Sequence, residues 1–216
     1  MSRILDTKIE DLTQDLVKMN DLVTNALDKA VKSFIEQDSI LAEKVEGLDT
    51  QLYEIYVEIE RKSFELIARY QPLAGDLRTI GTYLSITTDL YRIGRYAYDI
   101  ALLTKKMKGI PHIKKLVSIP RMARITQEML ADSLRAFVNR DIDLAKSLSE
   151  KDDEVDAIYE EIFRELLTYI MERSSAITPS MYYLLVARYL ERVSDHACYM
   201  GERIVYMVTG ERLRIR

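Results

Sequence analysis

The sequence predicts an all-α protein, a tandem pair of three-helix bundles related by an internal repeat. Three observations carry this expectation. Apolar residues recur three and four positions apart along most of the 216 residues, which is the period of one helix face. Only 7 Gly and 4 Pro interrupt them, and 31% of residues are charged, a composition suited to long helices with short connectors and nearly devoid of strand signals. The apolar pattern then returns about a hundred residues later, the signature of a duplicated unit.

The first helix runs from about residue 4 to 36, along the stripe Leu5, Ile9, Leu12, Leu16, Met19, Val23, Leu27, Ala30 and Phe34. Asp38 and Ser39 offer an N-cap to a second helix, which continues to about Ile67. It stops ahead of Pro72, because proline disfavours helical backbone at the residue before it. The third starts near Asp76 and ends before Gly109 and Pro111. Pro120 fits the first turn of a fourth helix that reaches about Asn139, where a missing N–H costs nothing. Asp141 caps a fifth to roughly Arg173, and Thr178 followed by Pro179 starts a sixth that ends before Gly210. The segment KKMKGIPHIKK, Lys105 to Lys115, is the boundary, with a first bundle over residues 1–110 and a second over 111–216.

The repeat is arithmetic. Tyr56 matches Tyr159 and Arg61 matches Arg164 at one offset, 103 residues. On the last helix of each half the offset is 100, and Tyr83, Ile86, Leu90, Ile93, Ala97 and Ile100 align with Tyr183, Val186, Leu190, Val193, Ala197 and Met200. Each set is a three-four seam of the kind that packs helix against helix.

Composition removes several function classes. The single cysteine, Cys198, excludes an intramolecular disulfide and suits a reducing cytoplasm, with Cys198 expected as a small core residue. The N-terminal MSRILDTKIEDL has no apolar run of the signal-peptide kind. No stretch approaches the roughly 20 apolar residues of a membrane span, so membrane association is expected to be peripheral only. A net charge of −4 gives no attraction to phosphate backbones, so nucleic acid is not an expected partner. Neither a nucleophile elbow, nor a Gly-rich phosphate loop, nor a Cys/His zinc spacing occurs, and no catalytic residue is assigned. The closing ERLRIR and the linker lysines are small basic patches, read as solvated ends or, alternatively, as docking to a membrane surface or an acidic partner.

The polar residues that ask for an explanation lie in the second half. Glu191 and Asp195 are four residues apart, so at about 100° per residue they fall within about 40° of each other, on a face away from the apolar seam. Asp152 and Asp156 share that spacing on the fifth helix, with Glu160 one turn further. Two such rows on facing helices can converge on a hard or borderline cation; a solvated acidic face is the alternative. The repeat favours the cation. Asp152, Asp156 and Glu160 correspond to Asp49, Tyr53 and Val57, while Glu191 and Asp195 correspond to Tyr91 and Arg95. A coordinated change from carboxylates to aromatic and basic residues suits loss of one cation site better than loss of solubility. His196 is expected to be a surface or packing residue at a helix flank rather than a ligand, and His112 to be solvated in the linker. Neither has the Glu-x-x-His context of a ferritin-like di-iron enzyme.

The stretches YQPLAGDLRTI, TDLYRIGRYAYDIA, EKDDEVDAIYEEI and ARYLERVSDHACYMGE together resemble the PhoU family of regulators of phosphate uptake over nearly the whole chain. The resemblance implies a PhoU-like fold and a cytoplasmic accessory protein, not an enzyme. Its implied partners are the ATPase and permease of a phosphate ABC transporter and a phosphate-sensing histidine kinase, with a homodimer as the expected assembly. Some members carry multinuclear iron or zinc clusters, and residue by residue those positions map to Asp152, Asp156, Glu191 and Asp195. A metal in the second bundle (iron, zinc, manganese or magnesium) is therefore the candidate cofactor. The departures at Tyr53, Tyr91 and Arg95 argue against a first cluster. A related set partners low-affinity phosphate permeases, and a carboxylate-bridged metalloprotein is the remaining alternative.

Overall fold

The structure, a computed structural model, describes residues 3–215. Its helices are α1 (Arg3–Glu36), α2 (Ser39–Tyr70), α3 (Gly75–Lys106), α4 (Ser118–Asn139), α5 (Ile142–Glu172) and α6 (Ile177–Thr209), and no strand occurs among the described residues. The helices α1, α2 and α3 pack on one another, as do α4, α5 and α6, and the halves meet where α3 lies along α6 and α1 touches α4. Every member of the two predicted seams is buried, from Tyr83 to Ile100 and from Tyr183 to Met200. The buried apolar residues form one continuous cluster across both halves.

The repeat extends to the joints. Asp38 accepts hydrogen bonds from the Ile40 and Leu41 amides at 2.9 and 3.0 Å, and Asp141 accepts one from the Leu144 amide at 2.9 Å. Each cap follows a residue in the left-handed region, Gln37 (φ 54°) and Arg140 (φ 53°), so the α1–α2 and α4–α5 corners are two copies of one turn. The start of α6 differs from expectation. A 3-10 turn, Ser174–Ala176, precedes it, and Ala176 occupies the N-cap without a side-chain hydrogen bond. Thr178 is therefore inside the first turn, where Pro179 can follow because those amides have no helical partner in any case. No helix among the described residues is long and apolar enough to cross a membrane.

Close approach of α6 to α5 is set by Gly201. A Cβ there would stand 2.8 Å from the Ala145 carbonyl oxygen and 3.0 Å from side-chain atoms of Leu148 and Ile215. Alanine gains helix propensity over glycine, about 1 kcal/mol, but forcing backbone apart costs more. Gly201→Ala should therefore destabilise by about 1–2 kcal/mol net, read as a fall in the denaturant midpoint. A gain in stability would show that α5 and α6 can separate freely.

Candidate functional site

The acidic residues of the second half meet at the α5–α6 contact, but not on an open face. On α5, Asp152 falls in the stripe Ala145, Leu148, Val155, Ile162 and Leu166, and it is buried with them at 2% exposure. Asp156 is half-buried and Glu160 exposed. Glu191 and Asp195, at 6% and 2%, are also buried, which corrects the expectation that they stand away from the core. The reason is the place of α6, flanked by α3, α4 and α5 together, so that more than one apolar stripe of its surface is covered.

Buried carboxylates need hydrogen bonds or countercharge, and both are present. The Ser194 hydroxyl donates to Asp152 Oδ1, tying α6 to α5. Arg188 Nη1 donates to Glu191 Oε1 at 2.6 Å, and Arg192 Nη1 to Asp195 Oδ2 at 3.0 Å. Arg192 Nε lies 3.8 Å from Glu191 Oε2, so one guanidinium serves both α6 carboxylates. Among the described residues no three His, Cys, Asp or Glu side chains stand together as a metal-holding group. The oxygen donors suit a hard cation chemically, whereas the arginines hold Glu191 and Asp195 in the arrangement seen. Burial pushes the Cys198 thiol up, and Asp152, Glu202, Asp156 and Asp153 add to the rise. Cys198 therefore stays protonated at neutral pH and is buried as expected for a core residue.

The corresponding place in the first half is built differently. Arg95 on α3 donates to Asp49 on α2 at 2.8 Å and lies 4.5 Å over the Tyr98 ring. Tyr53, Tyr56 and Tyr91 cluster beside it, with ring centroids 4.9 Å apart for Tyr56 and Tyr91 and 6.2 Å for Tyr53 and Tyr91. The Asp49–Arg95 ion pair and the rings of Tyr53 and Tyr91 thus occupy the positions of Asp152, Asp195, Asp156 and Glu191, while Tyr56 keeps the tyrosine that the second half has as Tyr159.

Between the halves, the polar contacts obey the repeat by exchange. Asp89 Oδ1 is 2.9 Å from His196 Nδ1, and Tyr96 stacks on Tyr189 at 5.8 Å. Shifting Asp89 forward by 100 residues and His196 back by 100 gives Tyr189 and Tyr96, so the second pair is the first with the helices swapped. Phe34–Tyr183 (5.8 Å) and Tyr83–Phe137 (5.0 Å) exchange likewise, with Phe34 and Phe137 at the 103-residue offset and Tyr83 and Tyr183 at the 100-residue offset. His196 is thus a packing residue with a specific partner, Asp89, which the helix periodicity does not single out. A carboxylate set between Ile86, Leu90 and Ile93 was the available signal.

His112 departs from its expected solvation. Its Nε2 is 3.0 Å from the Ile35 carbonyl and its Nδ1 is 2.7 Å from the Tyr183 hydroxyl, which also accepts from the Ile113 amide at 3.1 Å. Because a carbonyl can only accept, Nε2 carries a proton, and in the neutral ring Nδ1 accepts from the Tyr183 hydroxyl. The ring so closes the α3–α4 connection onto α1 and α6. The closing segment is also tied down: the Ile215 amide donates to Glu202 Oε1 at 3.0 Å, and Ile215 packs on the core. Arg216 of the ERLRIR patch lies outside the described residues.

The comparisons agree along the whole chain. The PhoU domain pattern matches residues 16–104 and 119–204, once in each half. A phosphate-specific transport system accessory protein PhoU homolog of Aquifex aeolicus is 39% identical over 204 residues, covering 94% of this chain and 92% of the relative. The protein of the same description from Clostridium acetobutylicum is 34% identical over 212 residues, 98% of this chain and 97% of the relative. Among solved structures, PhoU from Pseudomonas aeruginosa superposes with a TM-score of 0.91 at 33% identity, covering 95% of this chain and 99% of that one. The phosphate transport system regulatory protein PhoU of Streptococcus pneumoniae gives 0.89 at 27% identity, covering 97% and 99%. With both repeats matched and the six-helix path shared from end to end, the chain belongs to the PhoU family.

Proposed function

We propose that this chain is a cytoplasmic accessory regulator of phosphate transport, with residues 1–110 and 111–216 as its repeats and a homodimer as its assembly. It binds the ATPase or permease of a phosphate ABC transporter, and a phosphate-sensing histidine kinase where one is present. There it restrains uptake and the starvation response when phosphate is plentiful. Association with the membrane is peripheral. The observation that carries this reading is the match of more than nine-tenths of the chain to relatives described as accessory proteins of phosphate-specific transport systems. Contact rather than catalysis is the mode of action: the buried carboxylates are engaged by arginine and serine, and the buried thiol is protonated.

A cation is the second component of the proposal. Asp152, Asp156, Glu191 and Asp195 offer oxygen donors suited to iron, zinc, manganese or magnesium. Arg188 and Arg192 compensate Glu191 and Asp195, and at 40% and 42% side-chain exposure both have room to turn into solvent. A bound cation takes over the compensation they give.

A deletion strain grown in excess phosphate tests the regulatory reading. Uptake and starvation-gene expression should rise, and a pull-down with the intact chain should recover the transporter ATPase or permease. Unchanged uptake and expression with neither recovered would overturn it.

A further inference from the structure

Arg78, one turn into α3, makes no side-chain hydrogen bond or ion pair among the described residues, and its Nε is buried without an acceptor. Arg78 is half-buried, and its Nε calls for an explanation, because a desolvated donor without a partner is costly. Its guanidinium lies beside the end of α6. A Cβ added at Gly210, the C-cap of α6, would stand 3.5 Å from Arg78 Cζ.

The group lines a cleft of about 590 Å³ between the start of α3 and the end of α6, and Arg203 and Arg212 line it too. Glu202 is the carboxylate of the lining, and it accepts from the Ile215 amide at 3.0 Å rather than from any of the arginines. Arg203 Nε forms a long ion pair with Asp89 Oδ2 at 3.9 Å, and Arg212 rests over the Tyr206 ring at 5.7 Å. Three arginines thus line a cleft with one carboxylate that is otherwise engaged, and Arg78 and Arg212 have no ion-pair partner among the described residues. The repeat does not reproduce this: the 100-residue offset turns Arg78 into Thr178 and Arg203 into Leu103. The cationic cleft belongs to one pole of the molecule.

We infer that this cleft binds a phosphate group. A guanidinium presents parallel N–H donors that match phosphate oxygens two at a time, and a dianion neutralises the positive charge that Arg78 and Arg212 bring to the cleft. Leu77, Leu213 and Tyr206 complete the lining and leave apolar surface for the body of a phosphoester. Inorganic phosphate and a nucleotide share the recognised chemistry. The inference stands on the cleft alone and is independent of the transporter reading.

Calorimetric titration of the full chain with inorganic phosphate, and separately with AMP and ATP, tests it. Saturable binding is expected for at least one, weakened about tenfold or more in Arg78→Gln and in Arg212→Gln, and weakened by added salt. Saturation by phosphate identifies the free anion as ligand; saturation by nucleotides only identifies a phosphoester. If Arg78→Gln melts early, Arg212→Gln, on the exposed closing segment, decides. No saturable binding of any of the three at about 10 mM, or equal affinity in Arg212→Gln, would overturn the inference.

Discussion

Leu190→Ala should lower the unfolding free energy by about 4 kcal/mol, within the 2–5 kcal/mol expected of a buried leucine truncated to alanine. Leu190 is fully buried at the centre of α6, the helix that α3, α4 and α5 all contact. Neighbours held on three sides cannot collapse into the space left behind, and the residual cavity adds to the lost transfer energy. Leu90 is its counterpart in α3 and equally buried, so Leu90→Ala should cost a similar amount. Because the apolar cluster is continuous across the halves, either substitution should shift one cooperative transition rather than split it in two. Denaturant unfolding followed by helical circular dichroism reads both quantities. A loss near zero at either position would mean that the seam does not face the core, and two separated transitions would mean that the halves unfold independently.

The periodic features of the fold were legible because they depend on short-range spacing. The seams from Tyr83 to Ile100 and from Tyr183 to Met200 are buried throughout, and the caps at Asp38 and Asp141 follow from residue type and position alone. What escaped was set by which helix occupies the middle. A helical wheel for α6 puts Glu191 and Asp195 off the apolar seam, and only a second and third neighbour bring them inside. The same limit hid the roles of Arg188 and Arg192, whose pairing with those carboxylates runs one turn along the helix and reads as ordinary surface charge in the sequence. Asp89 and His196 are 107 residues apart and His112 and Ile35 are 77 apart. Contacts at such separations follow from the packing of the two halves, to which periodicity within one helix is blind. The start of α6 was misplaced by the opposite error: Thr178–Pro179 is a strong local signal, and the 3-10 turn before it moved the cap to Ala176.

Arg192→Ala should destabilise the metal-free protein by about 2–3 kcal/mol, the scale for removing one partner of a buried, hydrogen-bonded charge pair after allowing for solvent screening. The arginine is itself 42% exposed, so little packing is lost, whereas the side chains of Glu191 and Asp195 are 8% and 3% exposed and lose a cation they share. Arg188 remains on Glu191 at 2.6 Å, so Asp195 bears most of the loss, and Asp195→Asn in the Arg192→Ala background should recover much of the stability. The proposed cation gives the same variant an opposite expectation under loading. Once the guanidinium no longer competes for the carboxylates, iron, zinc, manganese or magnesium should raise the melting temperature more in Arg192→Ala than in the unaltered chain, since a ligand stabilises according to its affinity for the folded state. That response should vanish when Asp195 is also replaced by asparagine. Thermal melts of the three proteins with each metal, alongside elemental analysis, measure both effects. If Arg192→Ala melts like the unaltered chain, the arginine is a surface residue and the buried carboxylates are held by other groups. If it melts early but no metal restores it, the four carboxylates are a structural hydrogen-bonded cluster rather than a cation site.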